Sequence, residues 1–410
     1  MQQKSTFSLS KRLPEQHRSI ATLLAFALIP VSGLATDIYL PSMPHMATGL
    51  GVRESNIQLT LSLFLVSYGC AQLIAGSFLD SFGRYRLCMA ALFIFSISAI
   101  ITAISGNIVV ICAMRIVQGI CTGMIVVSKR AFFVDVHKGE KQKHYLSIMT
   151  IVWSSAPIIA PFIGGYLEAH FNWRANFFVL AGYCTLLLVL EYIFSGETIE
   201  HYHPLQLRPI LRNYGEMLRA ADFVYGLIML GLSYGITMIF GLSGPFIIEH
   251  QMGYSPVVAG YASLVMGLAW MCGGFLGKAM IRKEFLPKLR KACIIQIILI
   301  IAMITTTPLL NNIWSMILFA FSIHVTAGFI FNNYFAYSLS RFPRMAGMAG
   351  GLTGGMAYMI TSVMSYGIAS IIGANSQQTL GYSYLVMGVV GLGIMLVNRT
   401  QQPATTVTVK

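Results

Sequence analysis

Two charged residues of opposite sign stand inside long apolar stretches of this sequence. Asp37 lies in ATDIYLPSMP, residues 35–44, and Arg115 lies in the apolar stretch that begins near Ile108. Stretches of about 18 or more apolar residues are long enough to cross roughly 30 Å of hydrocarbon. A carboxylate inside such a helix costs roughly 2.5–3.5 kcal/mol on insertion scales, so it normally faces a cavity or a partner. The alternative for Asp37 is hydration near the membrane surface.

The two residues are predicted to lie at similar depth. If the N-terminus is inside, the first run crosses outward and ends near Pro41, about 6 Å beyond Asp37. The fourth run crosses inward from Ile108, which puts Arg115 roughly 10 Å below the same face. We therefore hypothesise that Asp37 and Arg115 share one polar cavity, with Arg115 the only basic residue in the interior of a predicted span.

A carboxylate beside a guanidinium is suited to proton uptake and release. The cation favours the charged carboxylate, whereas loss of water favours the neutral acid, so a movement that changes either balance moves a proton. At an effective dielectric constant near 20, a contact of about 4 Å is worth about 4 kcal/mol, enough to drive this change. Asp37 and Arg115 are the predicted proton-coupling residues.

These residues are carried by apolar runs that fill most of the chain. The sequence is 56% hydrophobic and 10% charged, whereas soluble domains carry about a quarter charged residues. Since lipid offers no hydrogen-bond partners, each run is predicted to be an α-helix. The prediction is an all-α multi-pass membrane protein with twelve transmembrane helices, numbered 1–12, near 19–41, 57–79, 87–106, 108–129, 145–168, 174–195, 223–246, 257–279, 291–310, 314–338, 346–371 and 380–398.

The basic residues predict the orientation. Of 27 Lys and Arg residues, all but Arg53, Arg115 and Arg174 fall in segments that lie inside if the N-terminus is inside. This is the bias of cytoplasmic loops in membrane proteins. The net charge of +13 therefore reflects topology and not nucleic-acid binding. We expect both termini in the cytoplasm and the protein in the cell (inner) membrane, surrounded by the lipid bilayer.

The longest hydrophilic connection divides the chain into two halves. The predicted units are a cytoplasmic N-terminus (1–18), a six-helix bundle (19–195), a cytoplasmic linker (196–222), a second six-helix bundle (223–398) and a cytoplasmic tail (399–410). GSFLD at 76–80 and GGFLG at 273–277 end the corresponding helices 2 and 8. Two such bundles around a central cavity are one way in which transporters build alternating access.

No cofactor is predicted. The sequence has no GxxxxGK[ST] phosphate loop, so an ion gradient is the economical energy source, with the proton as coupling ion. The seven cysteines form no CxxC, and their odd number favours neither a disulfide framework nor a zinc site, so no metal is expected.

Two further motifs mark points where helices bend or turn. GSFLDSFGRYR, residues 76–86, joins helices 2 and 3. Its glycines permit close approach, and its charged residues lie at the membrane interface. The residues of this motif are Gly76, Asp80, Gly83, Arg84 and Arg86.

In APIIAPFIGG, residues 156–165, Pro157 and Pro161 remove backbone donors and bend helix 5. Gly164 and Gly165 are expected to let helix 5 pack on the other bundle. The alternatives are a generic basic loop and an ordinary proline-kinked helix.

These motifs resemble the major facilitator superfamily. GSFLDSFGRYR is similar to its G-x-x-x-D-x-x-G-R-x-R/K signature, RIVQG at 115–119 to its helix 4 signature, and APIIAPFIGG to its helix 5 antiporter motif, although Ala156 and Ala160 replace glycines. ATDIYLPSMP looks most like the Bcr/CflA-type drug:proton antiporters, and the resemblance covers essentially the whole chain. It implies a proton-driven exporter in which Asp37 and Arg115 couple the proton and the 2–3 loop gates the conformational change.

Polar and aromatic residues inside the spans are candidates for the substrate cavity, although packing between helices explains such residues equally well. The candidates are Tyr39, Tyr68, Gln72, Gln118, Trp153, Phe240, Asn332, Asn333 and Tyr358. His324 is either a proton relay or a residue that hydrogen-bonds to a neighbouring helix. Glu54, Glu168 and Glu249 are expected to be solvated at outer helix ends, and the role of Glu191 is left open.

The predicted function is proton-coupled export of small amphipathic compounds by a monomer. The main alternative is a metabolite or siderophore permease of the same fold, working in either direction. A membrane enzyme would need a catalytic cluster at depth, and the sequence has neither HExxH nor GxSxG. A membrane sensor would need an output domain, whereas the largest loop has fewer than thirty residues.

Overall fold

The computed structural model describes residues 11–202, 204–205, 207–373 and 375–397, so the predicted tail and most of the N-terminal segment lie outside it. Within the described residues, twelve helices are long and apolar enough to cross a membrane, which confirms the predicted fold class. They are Glu15–Leu50, Glu54–Phe82, Arg84–Ile104, Ile108–Val136, Gly139–His170, Trp173–Phe194, Ala221–Phe246, Pro256–Ala279, Phe285–Thr306, Ile313–Arg341, Ala346–Ile372 and Gln377–Val397.

Helix 1 is broken into segments. Its α-helical parts are Arg18–Leu28, Val31–Asp37 and Met43–Leu50, with a short 3₁₀ turn at Leu40–Ser42. The breaks coincide with prolines, which lack the N–H that an α-helix interior requires. The helix therefore continues past Pro41, where it was predicted to end, and Asp37 closes its middle segment within the protein.

The two faces of the molecule are named here by their loops. The terminal face carries Lys11–Leu13, Gly83 and the linker that follows helix 6, and the far face carries loops 51–53, 105–107, 171–172 and 252–255. Successive helices run alternately between these faces.

Helices 1–6 and 7–12 form two bundles that meet along two seams. Helix 2 packs on helix 11, and helix 5 packs on helix 8. Glycines permit this approach: a Cβ on Gly69 would lie 2.6 Å from the Gly355 carbonyl oxygen, and one on Gly165 would lie 2.6 Å from that of Pro256. Small residues serve the same purpose in other membrane helix pairs.

The bundles are joined by polar contacts at the far face. Gln58 donates to the Leu242 carbonyl at 2.9 Å, and the hydroxyls of Tyr166 and Tyr261 lie 2.9 Å apart. Glu168 and Glu249 are also buried here, so the expectation that they are solvated is wrong; only Glu54 is exposed. These contacts close the far face.

The linker contains a helix of its own, Leu207–Leu218, on the terminal face. Its Tyr214 donates to the Leu73 carbonyl of helix 2 at 2.8 Å, and its Met217 is buried against Phe223 and Leu352 of the second bundle. The linker helix thus contacts both bundles.

Candidate functional site

Asp37 faces a central cavity between the bundles. Its side chain is 3% exposed, and its Oδ2 atom has no hydrogen-bond partner among the described residues. Among the residues that line the cavity, Asp37 is the one charged side chain. Asp37 is therefore buried in the protein, not hydrated at a helix end, and its free oxygen is available to a proton or a substrate.

The cavity is sealed towards the far face. The lining residues towards that face, Leu40, Pro161 and Ser263, are buried, with Leu40 and Ser263 3% and 8% exposed. Those nearest the terminal face, Ser154, Trp270 and Phe335, are partly or well exposed. The cavity thus opens towards the terminal face.

Arg115 lies behind Asp37 and does not line the cavity. Its guanidinium donates to the Ala35 carbonyl at 3.0 Å and to Gln118 Oε1 at 2.9 Å, and it stacks 4.6 Å and 4.3 Å from the ring centres of Tyr39 and Phe64. The described residues show no Asp37–Arg115 ion pair within 4 Å, although the two charges interact through space. The hypothesis of one shared cavity is therefore wrong, because Ala35 and Asp37 face different sides of the same helical segment.

A hydrogen-bonded network surrounds Arg115 instead. Gln118 donates to Thr102 at 3.1 Å, and the hydroxyls of Tyr39 and Thr60 lie 3.1 Å apart. Gly119 completes the packing, since a Cβ there would lie 2.5 Å from the Phe64 carbonyl oxygen. Tyr39 and Gln118 were predicted as substrate contacts. They belong instead to this buried network, which holds helix 1 in place.

The remaining cavity candidates divide into two groups. Trp153, Phe240 and Tyr358 line the cavity. Tyr68 packs on Tyr358 with ring centres 4.7 Å apart, Gln72 packs against Gly354, and Asn332 and Asn333 donate to carbonyls of their own helix at 2.8 Å. These four therefore do not line the cavity, so the structure does not support them as substrate contacts.

His324 does not hydrogen-bond to a neighbouring helix among the described residues. Its Nδ1 atom lies 2.7 Å from the Ala320 carbonyl of its own helix, and its ring packs between Phe240 and Tyr384. It lies outside the set of residues that line the cavity.

Sequence reasoning missed most of the aromatic wall of the cavity. Aromatic residues occur in many of the spans, and only their helical phase relative to the other bundle selects those that face inward. The missed lining residues are Tyr234, Trp270, Phe331 and Phe335, together with the hydroxyls of Ser32, Thr36, Thr237 and Ser263.

The loop between helices 2 and 3 forms an ion-pair cluster on the terminal face. Arg84 donates to Asp80 at 2.8 Å and also pairs with Asp135 at the end of helix 4. Gly83 has φ = +98°, and a Cβ there would lie 2.7 Å from Glu197 Oε2. Arg86 follows in the first turn of helix 3 and is half-buried.

Gly76 does not share the role of Gly83. A Cβ at Gly76 would meet nothing within 4 Å, so the expectation that it permits close approach is wrong. Glu197 of the linker accepts a hydrogen bond from the Tyr85 amide at 3.1 Å, and Thr198 donates to Asp135 at 2.8 Å. The linker therefore completes the cluster, which the motif alone did not indicate.

Helix 5 borders both the cavity and the broken part of helix 1. Pro157 and Pro161 line the cavity within a helix that remains continuous from Gly139 to His170. Gly165 packs on helix 8, as expected, whereas a Cβ on Gly164 would overlap the Ile38 carbonyl of helix 1. The expectation that both glycines contact the other bundle is thus wrong for Gly164.

A buried charge pair lies away from the cavity. Lys129 donates to Glu191 at 2.7 Å, and their side chains are 4% and 1% exposed. Helix 4 extends to Val136, so Lys129 is inside the span and Arg115 is not its only buried cation. Glu191, whose role the sequence left open, neutralises Lys129.

Twelve spans in two bundles, with one carboxylate in a central cavity that is closed on one side, define a membrane transporter. The chain belongs to the major facilitator superfamily, whose family model matches residues 25–366. It is 28% identical to the bicyclomycin resistance protein homolog of Haemophilus influenzae, over 90% of this chain and 91% of that protein. It is 26% identical to multidrug resistance protein D of Escherichia coli, over 93% of this chain and 96% of that protein.

A solved structure supports the same fold. The chain superposes on a bacterial homolog of the human lysosomal transporter Spinster, in an inward-facing and unoccupied conformation, with a TM-score of 0.70 and 13% identity. The match covers 94% of this chain and 96% of that one. This protein is therefore a multi-pass membrane protein of the major facilitator fold.

Proposed function

We propose that this protein exports small amphipathic compounds across the cell membrane in exchange for protons. The observation that carries the proposal is the unpartnered Asp37 oxygen, which belongs to the one charged group in a cavity otherwise lined by apolar, aromatic and hydroxyl-bearing residues. The resistance proteins among its relatives support an export function. No cofactor other than the proton is required, and one chain supplies the whole cavity.

In the proposed cycle, the proton and the substrate compete for Asp37. With the cavity open to the outside, the ionised carboxylate takes up a proton; with the cavity open to the cytoplasm, it releases the proton as substrate enters. Each proton that moves inward gains about 2.3 kcal/mol per 100 mV of membrane potential. The aromatic wall supplies apolar and stacking contacts to compounds of different shapes.

Arg115 supports this cycle without touching the substrate. Its bonds to the Ala35 carbonyl and Gln118 hold the segment that carries Asp37, and its charge favours the ionised carboxylate. The basic residues of its loops support a cytoplasmic terminal face, and with that orientation the structure represents the inward-open step of the proposed cycle.

The test is efflux by Asp37→Asn in proteoliposomes with an imposed pH difference. We expect substrate flux driven by the pH difference to fall at least about a hundredfold, because the amide cannot exchange the proton. Glu140→Gln, an exposed acid on the terminal side, is the matched control and is expected to transport normally. Wild-type flux that ignores the pH difference, or that runs inward with the proton, would contradict the proposal.

A further inference from the structure

Three ionisable side chains from both bundles meet at the far face, outside the central cavity. His45 Nδ1, on helix 1, lies 3.1 Å from Glu168 Oε1 of helix 5 and 3.7 Å from Glu249 Oε2 of helix 7. Both carboxylate side chains are 6% exposed, whereas the His45 side chain is 50% exposed. These residues are called the far-face triad below.

Apart from a contact of the Ser42 hydroxyl with Glu168, the two carboxylates have little other compensation. Glu168 Oε2 and Glu249 Oε1 are buried without hydrogen-bond partners among the described residues. Within the same residues, His45 is the ion-pair partner of both. Glu249 also sits in a π-helical turn, Ile247–Gln251, an irregularity that often marks functional positions.

The neighbouring ionisable groups have other contacts. Glu54 and His250 pair with each other at 3.2 Å, and Tyr166 bonds to Tyr261. Arg174 donates to the Ala103 and Ser105 carbonyls of the helix 3 end. The remaining ionisable groups at the adjoining helix ends are Arg53, His170 and Tyr254.

The charges of these three side chains limit which protonation states are stable when the far face is closed. Two buried carboxylates within reach of one nitrogen repel each other if both are ionised beside a neutral imidazole. A proton held by the triad, whether on His45 or on a carboxyl group, removes most of this repulsion. When the bundles separate at the far face, water solvates the carboxylates and the proton is no longer needed.

We propose that the far-face triad is a second proton-binding site, distinct from Asp37, whose proton holds the two bundles together at the far face. The proposal rests on the alternating access of the proposed function but not on Asp37 as the coupling residue. The exposed His45 lets the proton enter and leave on the same side. The triad therefore sets the population of the closed state and adds no proton to the transport stoichiometry.

The sign of the pH dependence follows from linkage. The closed far face binds one more proton than the open one, so acid on that side favours closure. One such proton changes the closed-to-open ratio by up to about tenfold per pH unit. Alkaline conditions on the far side are expected to open it.

Spin-label distances measure this equilibrium without any substrate. Labels on Phe171→Cys directly after helix 5 and on Leu309→Cys after helix 9 place one probe on each bundle, at positions 71% and 86% exposed on the far face. The seven native cysteines are replaced beforehand. In lipid nanodiscs, we expect the population of the longer distance to grow as pH rises from about 5 to about 9.

Substitutions in the triad test whether this site, and not another group, causes the pH-dependent opening of the far face. Glu168→Gln with Glu249→Gln mimics the protonated carboxyls, so the far face should stay closed across the pH range. His45→Gln removes a group that can hold the proton of the triad, so opening should move to a pH lower by at least about one unit. Glu54→Gln, in the neighbouring exposed pair, is the matched control and should keep the wild-type transition.

The proposal is overturned by a wild-type distance that does not change with pH, or by a transition that survives unchanged in both triad variants. The same measurement in Asp37→Asn distinguishes it from the proposed function. If the far-face site is separate, the transition persists in Asp37→Asn even where efflux is lost. If it disappears there, Asp37 and not the triad controls closure.

Discussion

At the residue scale, the presence or absence of a partner separates the buried charges that can respond to ligands from those that only hold helices together. Asp37 keeps an unpartnered oxygen in the cavity, whereas Lys129 and Glu191 neutralise each other at 2.7 Å. A buried charge that loses its partner is strongly destabilising, while replacement of both by apolar residues is often neutral. The two kinds of buried charge therefore predict different outcomes on substitution.

The Lys129–Glu191 pair gives a prediction about stability. Glu191→Leu alone should destabilise the folded protein by about 3–5 kcal/mol, because it leaves Lys129 buried and unpaired. Lys129→Met combined with Glu191→Leu should recover most of that loss. Thermal unfolding in detergent measures both, and a double variant no better than the single one would show that the pair does not behave as a compensated unit.

At the element scale, one backbone conformation fixes the join between helices 2 and 3. Gly83 adopts a left-handed conformation beside Glu197, and this brings the linker against the amide of Tyr85. Residues with a Cβ rarely adopt its combination of φ = 98° and ψ = 134°, at a cost of about 1–3 kcal/mol. The Arg84 cluster and the linker therefore depend on a glycine at this point.

Two alanine substitutions in the same motif should thus behave differently. Gly83→Ala should lower the transport rate at least about fivefold, because both its φ angle and the nearby Glu197 oxygen oppose a Cβ. Gly76→Ala should be neutral or slightly stabilising, since its Cβ meets open space within a helix. Efflux rates normalised to membrane expression provide the comparison, and equal effects would contradict it.

At the scale of the whole molecule, the two bundles touch closely at the far face and enclose a cavity open at the terminal face. The helix 5–helix 8 seam depends on glycine at its outer part, where Gly165 meets the Pro256 backbone and Gly260 lies near the Pro161 carbonyl. Packed interfaces switch between discrete arrangements. A single added atom at this seam is therefore expected to shift the equilibrium between the closed and the open far face.

Gly165→Ala should therefore shift the protein away from the closed far face. Its Cβ would lie 2.6 Å from the Pro256 carbonyl oxygen, which is backbone and cannot rotate away. The label pair at 171 and 309 should report a larger open population at every pH. Gly182→Ala, whose Cβ meets nothing within 4 Å, is the control. Identical distance distributions in the two variants would contradict this role for the seam.

The sequence by itself determined the number of helices, the fold class and the family, because lipid forces long apolar runs into helices and leaves charges only where they are needed. It also identified Asp37, because a carboxylate in such a run is costly unless it faces a cavity or a partner. Only the tertiary structure decided that Arg115 bonds to the back of helix 1, that Lys129 pairs with Glu191 and that His45 joins Glu168 to Glu249. These contacts join residues from about 60 to over 200 positions apart in the chain, and they depend on the rotation of each helix relative to its neighbours, which the pattern of a single helix does not contain.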